Sequence, residues 1–459
     1  MNIVYVMFLS IFIKAVSAVI EILIQICISH GFGVTGYGDY TFYVSLVEFI
    51  YYCLFSGSIK LNAFYLSDKS VNITNFKNRY LKTYVLTVLA ILTLVFISKK
   101  SYYGITACVA ILLYYFSYDY SSQFIARGHQ IFALTGEYLV GRTTMLLGIL
   151  CLFRFNLATG LALFVLYGLQ YLAIIVWLWF RKNSLPLDTR DVPVSKQKLL
   201  DFQKSDIASS VISFSPAILQ YVFVGAFETG FVGIITVAKK IIYFISGPTS
   251  KVFLPEFSRL YQENKKEKMI STYIMIVRVQ MIFIGSIAVI LIGFPELILT
   301  IFSPELVAYK TLFAATSFCL LLIASAGPVT GILQMTGNER ICNRNQWISI
   351  IFMLVTWIIM KGNGMFTVYG LCVQAIVEFA LKYYSICKWF NRNIISVKLL
   401  LIMWLPILLL KIIIVLGNYS DSMALLLISV LVIGSLNLFT TLLDPMVKSE
   451  IIKRIRQGR

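Results

Sequence analysis

Residues 3–38 read IVYVMFLSIFIKAVSAVIEILIQICISHGFGVTGYG, and Asp39 and Tyr40 follow. Gly31, Gly33 and Gly36 form a literal G-x-G-x-x-G, the pattern of a dinucleotide-binding turn. That pattern carries meaning only between a short strand and a helix, with an acidic residue about 20 positions on. The segment before it, 3–29, is far too long for a strand, and the acids that follow, Asp39, Glu48 and Asp68, have the wrong spacing. A continuous apolar run of this length crosses a hydrocarbon core as a helix. The glycines therefore mark a reversal between two spanning helices, because Gly reaches φ > 0 and lets helices approach closely. Residues 15–18, AVSA, have the look of a signal-peptide cleavage site. Yet no Lys or Arg precedes the apolar stretch, which continues past Ala18, so it reads as a retained first span.

The rest of the chain extends this reading. Of 459 residues, 59% are hydrophobic and 13% are charged, against about 25% charged in soluble domains. The chain reads as an all-α integral membrane protein; a β-barrel would show alternating segments of about ten residues. The net charge of +18 fits basic loops on one side and anionic lipid on the membrane surface. Nucleic acid is not an expected partner, since the sequence carries no RNP, zinc-finger or OB-like signature. Eight scattered cysteines without a C-x-x-C read as small packing residues. His30 and His129 are the two histidines and lie in different loops, so no metal centre, cofactor or His-based catalytic triad is expected.

Fourteen apolar segments can be marked, at about 3–29, 39–66, 81–98, 102–126, 133–153, 157–180, 207–227, 230–256, 271–293, 308–335, 341–360, 366–387, 398–416 and 422–443. With the N-terminus placed inside, the inner loops and adjoining ends carry 25 basic residues, and the outer ones carry five: Lys99, Lys100, Arg154, Lys310 and Lys361. That bias predicts cytoplasmic N- and C-termini.

An internal repeat is also visible. TGYGDYTFYVSLVEFI (35–50) matches TGFVGIITVAKKIIYFI (229–245), ARGHQIF (126–132) matches MTGNERI (335–341), and TGLALF (159–164) matches YGLCVQ (369–374). Their shared order predicts two six-helix halves, 1–180 and 207–390. A cytoplasmic linker at 181–206 joins them, and 391–459 adds two helices and a basic tail.

The G-x-x-x-x-G-Y-G-D-Y turn after span one, GAFETGFVG at 225–233 and the GNERICNRNQW loop at 337–347 resemble the multidrug/oligosaccharidyl-lipid/polysaccharide exporter superfamily. Within it, the chain is most similar to Wzx-type O-antigen and polysaccharide flippases. The resemblance implies two pseudo-symmetric, MATE-like bundles around a cavity that opens alternately to each side. The implied substrate is an undecaprenyl-pyrophosphate-linked oligosaccharide. The other implied partners are membrane lipids, a proton or sodium coupling ion, and polysaccharide polymerase machinery. Many O-antigen flippases have twelve spans; fourteen is a pattern seen among lipid-II flippases and other polysaccharide exporters.

Ionisable residues within the spans carry the functional expectation, since each costs roughly 2.5–3.5 kcal/mol at mid-bilayer on insertion scales and usually faces a pathway. Lys14, Ser17, Glu21 and Gln25 form one polar stripe in span one, and Thr41, Ser45, Glu48 and Tyr52 another in span two, with Lys60 two turns on. Spans seven and eight carry Ser209, Ser213, Pro216 and Gln220, then Thr236, Lys239, Lys240, Tyr243, Ser246 and Ser250. Arg142, Lys251, Arg278, Asp119, Glu137, Glu378 and Lys382 add to the set. Lys14, Lys60, Lys239, Lys240 and Arg278 are expected to contact a pyrophosphate. Glu21 and Glu48 are expected sugar contacts, coupling-ion sites or partners for those cations. The competing reading for Lys60, Lys251, Glu137 and Arg142 is end-of-span snorkelling, and for Lys14 with Glu21 a structural pair. The many tyrosines suit a sugar chain. A drug/cation antiporter would instead favour carboxylates in a neutral cavity. A membrane polymerase or glycosyltransferase would need a large outer loop, whereas the longest outer connection, 294–307, is short and mostly apolar.

Overall fold

Lipid offers no partner for a backbone N–H or C=O, so each segment that enters it must satisfy its own. Helix accordingly dominates the computed structural model, which describes residues 3–65, 71–72, 93, 102–181, 190–191, 195–361, 363–392, 397–417 and 423–443. The exception among them is a parallel pairing of β1 (Val71–Asn72) with β2 (Arg190–Asp191). Two compact units emerge, Phe8–Gly233 and Ile234–Arg459, the latter with Met1–Met7. The first unit holds α1 (Ile3–Tyr65), α2 (Tyr102–Ala126), and α3 (Gln130–Leu134), which runs through a π turn at Thr135–Val140 into α4 (Gly141–Arg154). It continues with α5 (Gly160–Trp179), α6 (Lys196–Phe223) and the first turns of α7 (Ala226–Gln262). The second unit adds α8 (Lys266–Ala288) with a π turn at Val289–Gly293, α9 (Pro295–Phe302), a 3₁₀ turn at Pro304–Tyr309, α10 (Lys310–Ser325) and α11 (Val329–Met335). It ends with α12 (Glu339–Met360), α13 (Phe366–Phe390), α14 (Val397–Gly417) and α15 (Met423–Leu443). Every expected span falls on helix except 81–98, which apart from Thr93 lies outside the described residues. Among those residues, seven helical stretches are long and apolar enough to cross a membrane.

The helices are amphipathic in the inverted sense. On α5, Leu161, Val165, Leu169, Leu172 and Val176 face outward, while Tyr167, Gln170 and Tyr171 are buried. The same holds on α12, where Ile351, Leu354, Val355 and Ile358 are exposed and Asn345 and Ser349 are buried. A soluble protein does not expose so large an apolar surface; a lipid-facing helix must. At the end of the first unit where Tyr103 meets Phe164, exposed Tyr102, Tyr103 and Phe155 form one aromatic rim, and Trp179 and Phe180 lie at the other end of α5. Helix α5 as a whole is 20 residues long, about 30 Å at 1.5 Å per residue and the thickness of the hydrocarbon core.

The opening glycines now have a role. Helix runs on both sides of Gly33, whose φ of 71° and ψ of 174° interrupt it. Glu21 lies within electrostatic reach of the Tyr37 and Tyr40 hydroxyls, so the two arms of α1 fold back at that glycine. In one straight helix, Glu21 and Tyr37 would stand about 24 Å apart. The second arm then crosses the start of α7 with almost no space between backbones. A Cβ at Gly38 would overlap the Ala226 carbonyl, and one at Gly230 would fall 2.6 Å from the Val34 carbonyl oxygen. The two copies of the Thr-Gly-aromatic repeat are therefore packed against each other.

Helix α6 starts at Lys196, inside the expected 181–206 connection, and it belongs to the first unit. The Gln203 side chain explains this. It accepts the Gly57 N–H at 2.8 Å and donates to the Tyr52 carbonyl at 2.7 Å and to the Cys53 carbonyl. Gly57 N–H and Cys53 C=O are the two groups that an α-helix joins to each other, so one amide inserts at that step of α1. A Lys60–Asp206 ion pair at 2.5 Å and a Phe42–Tyr221 ring stack at 4.0 Å fasten the same two helices on either side.

The middle repeat pair shares one local geometry. Gly128 (φ 89°) and Gly337 (φ 76°) both close a helix in the left-handed region. In each, the next residue returns its N–H five positions back, His129 to Phe124 at 2.9 Å and Asn338 to Leu333 at 2.7 Å. This is the same C-terminal cap twice. Gly160 and Gly370 do not match: the first opens α5 with open space around it, and the second sits within α13 against Trp357.

Gly38→Ala is expected to lower the thermal midpoint of the detergent-solubilised protein by several degrees, the scale of a 1–3 kcal/mol overpacking penalty. Gly160→Ala, with nothing within 4 Å, is expected to leave it unchanged within about 1 °C. Equal midpoints for the two variants would contradict the crossing.

Candidate functional site

The polar stripe on the first arm of α1 points into the first unit. Ser17, Glu21 and Gln25 are buried, and Gln25 donates to Glu21 at 3.0 Å. Glu21 takes Arg142 of α4 as its ion-pair partner at 2.8 Å. Lys14, two stripe positions lower, stands 4.9 Å over the Tyr138 ring. Tyr138 lies in the π turn and Arg142 just beyond it. A π turn packs an extra residue into the helix and re-aims the side chains beyond it. Here Glu137 accepts from Ser121 of α2, while five residues on Arg142 reaches α1. Arg142 is thus no end-of-span snorkel: it is the counterion of a buried carboxylate, with Tyr40 and Tyr171 in its field.

Glu48, on the second arm, ends a hydroxyl chain. Tyr171 donates to Tyr167 at 3.0 Å, and Tyr167 donates to Glu48 at 3.3 Å. The surrounding tyrosines correct one expectation. Tyr51, Tyr114 and Tyr171 stack in series at 3.9 and 4.5 Å, and Tyr43 stacks on Phe164 at 4.0 Å. Their faces cover one another and all four tyrosines are buried, so they build the core of the unit and offer no open platform to a sugar. Lys60 already holds Asp206. Nearby, Asn62 donates to Asp119 at 2.9 Å and to Ser122 at 2.6 Å.

In the second unit, Lys239 on α7 is half-buried and lies within the field of Glu378 and Lys382 on α13. Glu378 pairs with Lys382 one turn on at 2.6 Å and accepts from Gln374. Two cations thus share one carboxylate. Lys240 is exposed beside Lys239, and Arg278 is half-buried on α8. The side chains of Lys251, Tyr243, Ser246 and Ser250 lie outside the described residues.

The structure joins Glu21 to Arg142, Lys60 to Asp206 and Lys239 to the Glu378–Lys382 pair. It draws the expected site residues into separate clusters within each unit. Charge also divides unevenly. The described side chains well inside the helices of the first unit are Lys14, Lys60 and Arg142 against Glu21, Glu48, Asp119, Glu137 and Asp206; in the second they are Lys239, Lys240, Arg278, Lys382 and Lys411 against Glu378. Among these described side chains the cationic excess lies in the second unit. Sequence reasoning had each of these residues in view except Asp206 and Lys411, but not the pairings, because nothing in a helical period says which acid on another helix a given Arg meets.

Three solved structures share this architecture. An inward-facing MATE family multidrug resistance transporter of the MOP superfamily superposes with a TM-score of 0.62 at 13% identity, over 84% of this chain and 99% of its own. The MATE multidrug transporter DinF-BH, solved as a complex, gives 0.61 at 15% identity, over 86% and 96%. A MOP superfamily transporter from Pyrococcus furiosus, whose binding pocket is described as having reverse polarity that suggests a different function, gives 0.61 at 12% identity, over 85% and 96%. No family profile and no curated protein sequence matches the chain. The fold is that of the MATE transporters.

Replacing one partner of the Glu21–Arg142 pair is expected to destabilise the protein by about 2–4 kcal/mol, below the 3–5 of a fully buried pair because a quarter of Arg142 is exposed. Glu21→Gln with Arg142→Gln together should cost less than the sum of the two, with a coupling of at least about 0.5 kcal/mol. Additive losses in thermal unfolding would show that the two do not act as a pair.

Proposed function

We propose that the chain is a membrane flippase that moves an undecaprenyl-pyrophosphate-linked oligosaccharide, an O-antigen or related repeat unit, across the bacterial inner membrane by alternating access. Its fold supports transport, and the cationic excess within the second unit carries the choice of cargo. Among the described side chains well inside its helices, five cations against one carboxylate repel a cationic drug and attract an anionic headgroup. Lys239 and Lys240 would supply rotatable ammonium donors to the pyrophosphate, and Arg278 a planar fork that grips two oxygens at once. Glu378 holds Lys382 in place and leaves the trio one positive charge in excess. The Pyrococcus furiosus protein, with its reversed pocket polarity, is in keeping with the same fold handling cargoes of different charge. A proton or sodium ion is the coupling partner in this reading, and polysaccharide polymerase machinery takes the product.

A second reading, a MATE-type drug/cation antiporter, is favoured by the first unit, where carboxylates outnumber cations. The two readings part experimentally. In a bacterial strain that lacks its own lipid-linked oligosaccharide flippase, the chain is expected to restore surface glycan. Lys239→Ala and Lys14→Ala should each cut that export about tenfold or more, the scale of one charge-assisted hydrogen bond. If both variants export at the wild-type rate, the cationic path is wrong. If the wild type exports a cationic dye and no glycan, the antiporter reading replaces the flippase.

A further inference from the structure

Two connections far apart in the sequence meet at one end of the second unit. Helices α7 and α8 turn at Asn264 (φ 55°), and α13 stops at Asn391 (φ 59°). The Lys266 ammonium lies 5.8 Å from the centre of the Trp389 ring, and the Tyr261 ring is 6.3 Å from that same indole. Arg392 reaches Glu267 at 3.3 Å, Lys265 holds Glu263 at 2.8 Å, and Lys388 stands 5.8 Å over Tyr384. With exposed Lys268, five cations face two carboxylates here and leave three positive charges in excess.

One side of α13 shows what this surface adjoins. Ile376, Ala380, Tyr384 and Lys388 recur every four residues and all are exposed. Over about 18 Å that side passes from aliphatic to phenol to ammonium, the sequence of polarities from acyl chain through interface to phosphate.

We propose that this end of the second unit, centred on Lys266, Lys268 and Lys388 with Trp389 and Tyr384, is a docking surface for the headgroup of an anionic phospholipid. The lysines donate to the phosphate, and the rings fix their depth at the membrane interface by placing ammonium groups over amphipathic faces. The exposed Arg392–Glu267 and Lys265–Glu263 pairs add little to stability. They offset the acids, so that the remaining lysines meet the lipid. A soluble acidic protein would match the charge alone, whereas the graded side of α13 matches a lipid along its length.

The test uses the purified full-length protein and native mass spectrometry of retained lipid, with phosphatidylglycerol and phosphatidylcholine offered in equal amounts. Each lysine near an anionic surface is worth about fivefold in association, so the combined variant Lys266→Gln, Lys268→Gln and Lys388→Gln should lose about a hundredfold in phosphatidylglycerol retention. Phosphatidylcholine retention should not change, and Arg at the same three positions should keep the preference. A second measurement needs no variant: the preference of the wild type should fall as salt is raised to about 1 M, where screening acts over about 3 Å. Equal retention of the two lipids by the wild type would overturn the proposal, as would wild-type preference in the Gln variant. So would binding of soluble polyglutamate in place of lipid.

Discussion

Hydrocarbon supplies no hydrogen bond, and most of the structure follows from that constraint. It makes the segments helical, turns their apolar sides outward, and requires each polar side chain within them to be answered locally. Glu21 is met by Arg142 and Gln25, Lys60 by Asp206, Glu378 by Lys382 and Gln374, and Glu48 by a chain of two tyrosines. These contacts join different helices in three of the four cases, so polar chemistry here also fixes which helices are neighbours. Gln203 shows the same economy at the backbone, where one amide satisfies an N–H and two carbonyls of α1 and thereby ties α6 to the hairpin.

The glycines act by the opposite means, through what they lack. At Gly38 and Gly230 a missing Cβ lets two backbones touch, and at Gly33 the absence of a side chain permits the reversal. In lipid, where apolar burial gives helices no reason to associate, close packing at small residues is among the main sources of cohesion. The G-x-G-x-x-G that suggested a nucleotide supplies the reversal at Gly33, and Gly38, two residues past it, the close crossing. Its companion in α7 lies against it for the same reason.

How far the sequence was legible depends on the range of the physics involved. Span positions depend on about twenty consecutive residues, and they are readable: 102–126 was expected where α2 lies, and 422–443 where α15 lies. The likeness of the strings around Gly128 and Gly337 was readable as well, and the structure gives both the same cap, since a cap is a local affair. The third repeat pair failed because two glycines in similar strings have different neighbours. The start of α6 was misplaced for a related reason. Residues 196–206 are polar and charged, and only Gly57, Lys60 and the Tyr52 carbonyl, some 150 positions away, make them an inner helix. Partners for Glu21 or Lys60 were not readable at all.

The uneven division of charge between the units is the least local property of all. A count over the whole chain gives +18 and hides that, among the described side chains, the helices of the first unit are richer in carboxylates and those of the second in cations. The two units, each with a helix cap of the same geometry, therefore present different chemistry. A buried acid beside a buried base, such as Glu21 with Arg142, is held by its partner, and removing either charge leaves the other buried and unanswered. In the second unit Glu378 pairs with Lys382 and lies in the field of Lys239 as well, so that cluster carries one more cation than carboxylate. Polar groups buried in hydrocarbon are answered where they stand, so the chemistry of each unit follows from its own pairings, and a whole-chain charge count sees none of them.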